Sequence, residues 1–385
     1  MGDRDEWPVY LDYNATTPHA PEVVTAMRPF LEGHFGNPSS THRYGAVTRA
    51  AVGQARSQVA ELLDSKPDEI VFTSGGTESN NYAIRGAALA GAQRGRHIIT
   101  SEIEHPAVTE ACRRLEAEGF EVTWLPVDAD GLVRVDEAAA AIRPDTILIT
   151  LMHANNEVGT IEPIQAVAEV ARRRGIIFHT DAAQSAGKIP TDVHELGVDL
   201  LTIAGHKLYA PKGVGALYIR DGIALHPLMQ GAGQERGRRP GTENVLEVVG
   251  LGEACKVARR DLAMNTERMR ESRDELEREL REKIADVRVN GHSERRLPNT
   301  LSISIRGVNA NELLTAIEPY VAASAGAACH SGEIQISHVL RAMGVPVDWA
   351  RGTLRLSTGR HTTREEARNA AIVIADAVRR LRRTE

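Results

Sequence analysis

The sequence is poor in cysteine, lacks long apolar runs and carries no excess of positive charge. Its 385 residues include three cysteines, Cys112, Cys255 and Cys329, which are too few and too scattered for a disulfide framework or an all-cysteine zinc site. No stretch approaches the ~18 apolar residues of a membrane span, and the opening MGDRDEWPVY lacks the apolar run of a signal peptide. The 46 Lys and Arg against 52 Asp and Glu do not indicate nucleic-acid binding. We therefore expect a soluble, cytoplasmic, globular protein without a metal site.

The length predicts two domains, at roughly 100–200 residues per domain. Between residues 68 and 220, short β-rich runs alternate with helical stretches such as 106–118 and 163–174. This alternation predicts an α/β fold in which helices cover both faces of a mostly parallel sheet. Ligands of such folds bind at the carboxyl ends of the strands. The predicted strands are residues 69–74, 97–101, 121–127, 146–152, 176–182, 200–205 and 215–220.

The pattern changes after residue 245, where a long, highly charged helix is expected. Its apolar residues recur at heptad-like spacing, at Leu262, Met269, Leu276, Leu280 and Ile284. The charge run DELERELREK is interpreted as the solvated face of this helix. A strand at 300–307, TLRLSTGR at 353–360 and a terminal amphipathic helix then indicate a smaller α+β domain. The predicted division is a large domain at 16–259 and a small domain formed by 1–15 and 260–385.

A glycine-rich motif, TSGGTESNN at residues 73–81, directly follows a predicted strand and opens a helix. Gly75 and Gly76 let the backbone approach a ligand closely, and the free N–H groups of a helix N-terminus suit a phosphate. The motif matches neither the Walker pattern nor the dinucleotide fingerprint. Taken alone, it is equally typical of an ordinary glycine-rich turn.

Two further strand ends carry an acid and a lysine. Asp181 in HTDAAQ (179–184) ends a buried strand, where a carboxylate is costly unless paired, although an N-cap role is an equal alternative. Lys207 in AGHK (204–207) ends the next strand and could form a Schiff base, although an isolated lysine is more often a surface residue. Together, a phosphate cradle, an acid for a pyridinium nitrogen and a lysine are the three contacts that pyridoxal phosphate requires.

These motifs resemble class V aminotransferase-fold enzymes, and within them the group I cysteine desulfurases and selenocysteine lyases. The resemblance spans nearly the whole chain, and it implies a PLP-dependent transferase fold of type I and a homodimer. The motifs that carry it occur in the family's order: LDYNATTP (11–18), FGNPSS (35–40), FTSGGTESNN (72–81), EHPAV (104–108), NNEVG (155–159), HTDAAQ, GHK, RRPGTEN (238–244) and SAGAACHSG (324–332).

The resemblance implies a role for each matching residue. Lys207 is expected to be the Schiff-base lysine, Asp181 the partner of the ring nitrogen, and His105 the residue that stacks on the ring and shuttles protons. Arg355 is expected to bind the substrate carboxylate through a bidentate fork. The remaining expected contacts are Gln184 and Asn156 at the ring oxygen and substrate side, Gly76, Thr77 and His206 at the phosphate, and Thr242 reaching in from the partner subunit.

Cys329 is expected to be the nucleophile that accepts sulfur as a persulfide. It lies in a small-residue segment that should be mobile, as suits a thiol that travels between substrate and acceptor. A free cysteine is otherwise most often a small core residue. We expect that role for Cys112, on the helix after EHPAV, and for Cys255, on the long helix. His330 could lower the pKa of Cys329.

The expected reaction converts L-cysteine to L-alanine and passes sulfur from Cys329 to an acceptor protein, which the sequence leaves open among an iron–sulfur scaffold, a tRNA-thiolation protein and a dedicated biosynthetic pathway. Group I desulfurases usually carry Ser before Gly-His-Lys and Thr after the nucleophile, where this chain has Ala204 and His330. The segments around residues 296–307 and 345–360 are closer to the selenocysteine lyase pattern. Selenocysteine lyase is therefore the alternative function, and a non-catalytic scaffold of the same fold is a remote one.

Overall fold

The computed structural model describes residues 7–330 and 333–384. The strands are β1 (Val9–Tyr10), β2 (Ile70–Thr73), β3 (His97–Ser101), β4 (Glu121–Leu125), β5 (Thr146–Met152), β6 (Ile177–Asp181), β7 (Leu200–Ala204), β8 (Gly215–Ile219), β9 (Val287–Asn290), β10 (Thr300–Ile305), β11 (Val321–Ala322), β12 (Ser324–Ala325), β13 (Ala327–His330), β14 (Glu333–Ile336) and β15 (Thr353–Ser357).

The α-helices alternate with these strands in the first part of the chain and join or flank them in the second. They are α1 (Pro21–Glu32), α2 (Arg43–Leu63), α3 (Gly76–Gly91), α4 (Pro106–Ala117), α5 (Val135–Ala140), α6 (Ile164–Arg173), α7 (Val193–Leu196), α8 (Val245–Lys283), α9 (Ala310–Ile317), α10 (His338–Ala342), α11 (Val347–Ala350) and α12 (Arg364–Thr384). Within the described ranges, no helix is both long and apolar enough to cross a membrane.

A seven-stranded sheet with the order β2-β8-β7-β6-β5-β3-β4 forms the centre of the molecule. Strand β8 runs antiparallel to both β2 and β7, and the other pairs are parallel. All seven predicted strands are confirmed, and so is the mostly parallel α/β fold. Their ends differ from the prediction by at most two residues, because backbone pairing rather than side-chain pattern ends a strand.

Both faces of the central sheet are buried, because its strands are apolar at successive positions. Ile99 and Leu201 pack on the face covered by α2, α6 and the first half of α8, whereas Ile98 and Leu200 pack on the face covered by α3 and α4. Each such side chain contributes about 1.5–3 kcal/mol when it is fully buried. This packing on both faces holds the carboxyl ends of the parallel strands in fixed positions at one edge of the sheet.

A second hydrophobic core lies between the antiparallel sheet β12-β15-β10-β9 and helices α8, α9 and α12. Helix α8 joins the two cores, since Leu251 belongs to the first and Leu276 and Leu280 belong to the second. Strand β1 pairs in parallel with β11, which attaches the N-terminal residues to the second core. These contacts support the domain division near residue 260, which we retain as a proposal.

The segment around Cys329 differs from the expected loop. The backbone of β13 pairs antiparallel with β14, and Cys329 lies opposite Ile334 in this hairpin. The sequence EIQI supplies an alternating partner strand, which is the signal that would have predicted the hairpin. Ser331 and Gly332 of the SAGAACHSG motif lie outside the described residues.

Candidate active site

A cavity of about 220 Å³ lies at the carboxyl ends of the central strands. It collects residues from the turn after β1, the start of α3, the loops after β3, β5, β6 and β7, and strand β15 of the second core. The predicted site residues that line it are Gly76, Thr77, His105, Asn156, Asp181, Gln184, His206, Lys207 and Arg355. A larger cavity, lined by Arg94, Arg172 and Arg220, lies at the opposite end of the sheet and contains no predicted site residue.

Asp181 is the last residue of β6 and is 7% exposed. Its two carboxylate oxygens accept hydrogen bonds from Asn80 Nδ2 at 2.6 Å and from the backbone N–H of Ala183 at 2.9 Å. No cationic side chain of the described residues lies within ion-pair distance of it. A buried carboxylate without a cation fits a ligand that brings a positive charge, such as a protonated pyridine nitrogen.

Lys207 ends a short 3₁₀ helix, Gly205–Lys207, directly after β7. Its Nζ donates to the carbonyl oxygens of Asn14 and Ala15, the latter at 2.8 Å. Burial, followed by the positive charge of Arg355, lowers the pKa of Lys207 to about 8. A substantial fraction of the amine is therefore neutral near physiological pH, as attack on an aldehyde requires.

His105 caps the N-terminus of α4, since its Nδ1 accepts a hydrogen bond from the backbone N–H of Ala107 at 3.1 Å. This contact leaves the proton of the neutral ring on Nε2. Burial is the main cause that lowers the pKa of His105, with Lys207 and His338 contributing in the same direction. The neutral imidazole lies in the cavity wall, where a flat aromatic ligand can stack on it.

The other end of the cavity suits a phosphate. Gly75 adopts φ +150°, a backbone conformation that side chains disfavour, and Gly76 and Thr77 then begin α3 with free N–H groups. A Cβ on Gly76 would lie 3.1 Å from Cβ of Ala204, a tight contact that a larger residue could make only if its neighbour moved by a few tenths of an ångström. Burial and the charge of Lys207 lower the pKa of His206 to about 4, so this ring is neutral at pH 7.

Arg355 of β15 brings the second core to the cavity. Its Nη2 donates to Asp12 Oδ1 at 2.9 Å and to Ser324 Oγ at 3.1 Å, and its Nη1 donates to the carbonyl oxygen of Asn156 at 3.3 Å. Its Nε is buried and has no partner in the described part of the chain. An unpaired guanidinium N–H beside the cavity fits a carboxylate ligand.

Two residues of the cavity, Asn14 and Asn80, and the neighbouring Lys188 have no role in the expectations from the sequence. Asn14 was contained in the LDYNATTP motif and Asn80 in TSGGTESNN, but neither was given a role. Asn14 accepts a hydrogen bond through its backbone carbonyl from Gln184 Nε2 at 3.0 Å. Lys188 was not noted at all, although the HTDAAQ motif ends four residues before it. Their positions within these motifs, or just after one of them, are the signal in the sequence that could have indicated a role.

The cysteines and Thr242 take different positions. Cys112 on α4 and Cys255 on α8 are fully buried, and burial raises the pKa of both thiols, so their predicted structural role is confirmed. Thr242 is exposed and does not line the cavity of its own chain.

In the described residues, no three His, Cys, Asp or Glu side chains are grouped so as to hold a metal ion.

The fold and the cavity together define an α/β enzyme built to hold pyridoxal phosphate, and comparison with known proteins agrees. Residues 9–369 match the family Aminotransferase class-V. Cysteine desulfurase IscS from Dictyoglomus turgidum (strain DSM 6724 / Z-1310) is 50% identical over 375 residues, which cover 97% of this chain and 95% of that protein. Cysteine desulfurase IscS from Escherichia coli O139:H28 is 46% identical over 380 residues, with coverages of 97% and 94%.

Solved structures give the same result. The structure described as "NIFS-LIKE PROTEIN" superposes with a TM-score of 0.91 at 36% identity and covers 97% of this chain and 99% of its own. "SspA in complex with cysteine" has a TM-score of 0.79 at 39% identity and covers 92% and 99%. The chain belongs to the aminotransferase class-V family. Its cofactor is pyridoxal phosphate, which the uncompensated Asp181, the lowered pKa of Lys207 and the glycine turn fit.

Proposed function

We propose that this protein is a cysteine desulfurase, which converts L-cysteine to L-alanine and retains the sulfur as a persulfide on Cys329. The observation that carries the proposal is the single cavity that brings together Lys207, Asp181 and Arg355, in a chain 46–50% identical to proteins named cysteine desulfurase. The reaction balances without an oxidant, because cysteine and an enzyme thiol become alanine and an enzyme persulfide. The Cβ–S bond of the substrate breaks and an S–S bond forms.

Pyridoxal phosphate, when bound, supplies an electron sink for the pair of electrons released at the substrate Cα. The protein's residues do the rest. Arg355 lines the same cavity as Lys207, and in this proposal its guanidinium binds the substrate carboxylate and so brings Cα toward Lys207. Lys207 Nζ then takes the Cα proton as a general base, a role suited to an amine whose pKa is lowered to about 8. Asp181 holds a proton on the ring nitrogen.

Cys329 attacks the substrate sulfur in this proposal, and the backbone path supports its reach. Ser324 of β12 accepts a hydrogen bond from Arg355 through its Oγ at 3.1 Å, and the hairpin strand β13 begins three residues later, at Ala327. Cys329 follows five residues after Ser324, and five extended residues span at most ~17 Å. The chain length between Ser324 and Cys329 thus limits how far the backbone of Cys329 can lie from Arg355.

The experiment compares alanine and persulfide formed from L-cysteine by the wild type and by Cys329→Ser. We expect the variant to bind the cofactor and cysteine normally but to form no persulfide, since a hydroxyl is far less nucleophilic than a thiolate. Cys255→Ser and Cys112→Ser are the matched controls. Loss of desulfuration in either control, with Cys329→Ser fully active, would show that Cys329 is not the nucleophile.

Selenocysteine is the second candidate substrate, favoured by Ala204 and His330 at positions where group I desulfurases usually carry hydroxyl residues. The C–Se bond is weaker than the C–S bond, so selenium can leave without attack by a thiolate. A selenocysteine lyase would therefore keep substantial alanine production from selenocysteine in Cys329→Ser. A desulfurase would lose alanine production from cysteine in the same variant.

The active form is proposed to be a cytoplasmic homodimer that delivers sulfur to an acceptor protein, such as an iron–sulfur cluster scaffold. Thr242 is exposed and remote from its own cavity, which suits a residue that completes the neighbouring subunit's phosphate site. Leu31, Phe35 and Tyr44 are 69%, 80% and 58% exposed and offer apolar area for such an interface. Sedimentation that finds a fully active monomer would contradict the dimer.

A further inference from the structure

Lys188 is a buried lysine that the proposed reaction does not use. It is 5% exposed, and no carboxylate of the described residues lies within ion-pair distance of it. Burial is the first cause that lowers its pKa to about 7, and the positive charges of Lys207 and Arg355 follow. A buried ammonium without a counter-charge is costly to the fold. Its position therefore calls for an explanation other than stability.

The contacts of Lys188 are two side-chain amides of the cavity wall. Its Nζ donates to Gln184 Oε1 at 2.9 Å and to Asn14 Oδ1 at 3.3 Å. An ammonium group can only donate, so both amides must present their oxygen to it. The amide nitrogens are thereby turned the other way.

The orientation of Gln184 has a direct consequence for the cavity. Its Nε2 donates one hydrogen to the backbone oxygen of Asn14 at 3.0 Å, and the second N–H has no partner among the side chains and backbone groups that the structure describes. Gln184 lines the cavity, so a donor and not an acceptor is available there. A donor of this kind suits an anionic oxygen on the ligand.

On the far side of Lys188, too, no described carboxylate lies within ion-pair distance of its ammonium group. A cavity of about 20 Å³ behind it is lined by Lys207 and Arg360, both cationic, and by the neutral Tyr209 and Asn265. The charged groups that lower the pKa of Lys188 or line this small cavity, namely Lys207, Arg355 and Arg360, are positive, and the carboxylates of Asp12 and Glu22 pair with Arg355 and Arg360 rather than with Lys188. An anionic oxygen on a ligand in the cavity that Gln184 lines would bring a negative charge toward these groups.

We propose that Lys188 is a positioning residue for the cofactor. Its ammonium group fixes the side-chain amide of Gln184 so that the Nε2–H faces the ring oxygen of the cofactor. The positive charge of Lys188, transmitted through this amide, then offsets the negative charge of the ring oxygen. The inference rests on the proposed pyridoxal phosphate site. It assigns to Lys188 no contact with substrate or cofactor, only the orientation of the residue that makes one.

The test measures cofactor binding to the apo-enzyme rather than turnover. Lys188→Met keeps the length of the side chain without charge or donor, Gln184→Ala removes the oriented amide, and the double variant combines both. Lys256→Met, an exposed lysine of α8, is the control for loss of a positive charge. The readouts are the dissociation constant for pyridoxal phosphate, the pH midpoint of the visible absorption of the bound cofactor, and the melting temperature without cofactor.

We expect Lys188→Met to melt no lower than the wild type and to bind pyridoxal phosphate about tenfold more weakly, as for loss of a charge-assisted hydrogen bond. The pH midpoint should rise, because a nearby positive charge disfavours binding of a proton. Gln184→Ala should weaken binding to a similar extent, and the double variant should be no worse than either single variant. Lys256→Met should match the wild type.

Wild-type affinity and pH midpoint in Lys188→Met would overturn the inference, as would strictly additive effects in the double variant. If Lys188→Met does not fold, Lys188→Gln keeps a donor without the charge, and a wild-type midpoint in that variant would overturn it equally. Failure of the wild type itself to bind pyridoxal phosphate would instead refute the proposed function, so the two failures are distinguishable.

Discussion

At the scale of single residues, the chemistry of the cavity comes from buried polar side chains that keep a charge or an N–H group without a partner. Among the described residues, Asp181 has no cation and Lys207 no anion within ion-pair distance, and Arg355, although paired with Asp12, keeps one N–H without a partner. Each of these is costly to the folded protein on its own. Each is also the complement of one group on the cofactor or on an amino acid substrate.

The lowered pKa of Lys207 predicts the pH at which the apo-enzyme takes up its cofactor. Only the neutral amine attacks the aldehyde, so the rate at which visible absorption appears should rise with pH around a midpoint of about 8. An ordinary lysine would give a midpoint about 2 units higher. Arg355→Leu should raise the midpoint, because it removes a nearby positive charge. Lys207→Ala should show no such absorption and no turnover. A midpoint near the ordinary lysine value in the wild type would contradict the prediction.

Substitution of Asp181 is predicted to affect turnover more than the affinity for the cofactor. Asp181→Ala should retain part of its affinity for pyridoxal phosphate, because Lys207 and the glycine turn remain. Its turnover should fall by at least about a hundredfold, since the ring nitrogen is no longer held protonated. The measurement is alanine formation at saturating cofactor, with Asn80→Ala as a milder variant that removes one hydrogen bond to the same carboxylate. Near-normal turnover in Asp181→Ala would show that the residue has another role.

At the scale of elements, the ends of strands and helices decide what reaches the cavity. The hairpin that carries Cys329 is closed at its base by Ser337, whose N–H donates to the carbonyl oxygen of Gly326 at 3.2 Å. The hydroxyl of Ser337 donates to Glu157 Oε2 and also caps α10. Burial is the main cause that raises the pKa of Glu157. This contact attaches the hairpin to the loop that carries Asn156.

Ser337→Ala is therefore predicted to slow persulfide formation while leaving cofactor and cysteine binding unchanged. The substitution removes the anchor of the hairpin and a cap worth about 1 kcal/mol. Asn309→Ala is the matched control, because Asn309 caps α9 in the same part of the molecule without contacting the hairpin. Single-turnover measurement of persulfide separates the two variants. Equal rates in both would mean that only stability is affected.

At the scale of the whole molecule, two cores meet at one cavity, and the proposed dimer adds a second chain to it. Arg355 reaches the cavity from the second core, whereas Lys207, Asp181 and the glycine turn belong to the first. Thr242 takes no part in the cavity of its own chain. A site assembled in this way depends on the relative placement of all three parts.

Hybrid dimers test whether Thr242 serves the neighbouring subunit. A dimer of one Lys207→Ala chain and one Thr242→Glu chain should contain one complete site and recover about half of the wild-type activity. Each variant alone should be inactive or weak, since one lacks the lysine and the other places a carboxylate beside the phosphate. Differently tagged chains allow the hybrid to be isolated. An inactive hybrid would mean that Thr242 acts within its own chain.

Local patterns were sufficient for the central sheet and for most of the cavity. Short β-rich runs between helical stretches predicted all seven strands, and motifs after three of them predicted Lys207, Asp181 and Gly76, whereas the role of His105 came only from the family resemblance. These features can be predicted from the sequence because a parallel sheet places the carboxyl ends of its strands at one edge. The hairpin at Cys329 was not predicted because the small residues of its first strand carry almost no periodic signal, and only the alternation in EIQI indicates the second strand.

The sequence by itself therefore determined the fold class, the cofactor chemistry and the buried positions of Cys112 and Cys255. Only the tertiary structure decided which polar groups are left without partners. The free Nε–H of Arg355, the lowered pKa of Lys207 and the isolated charge of Lys188 depend on burial and on neighbours as distant in sequence as Asp12 and Asn14. Desolvation and pairing are properties of three-dimensional surroundings, and no spacing of residues along the chain encodes them directly.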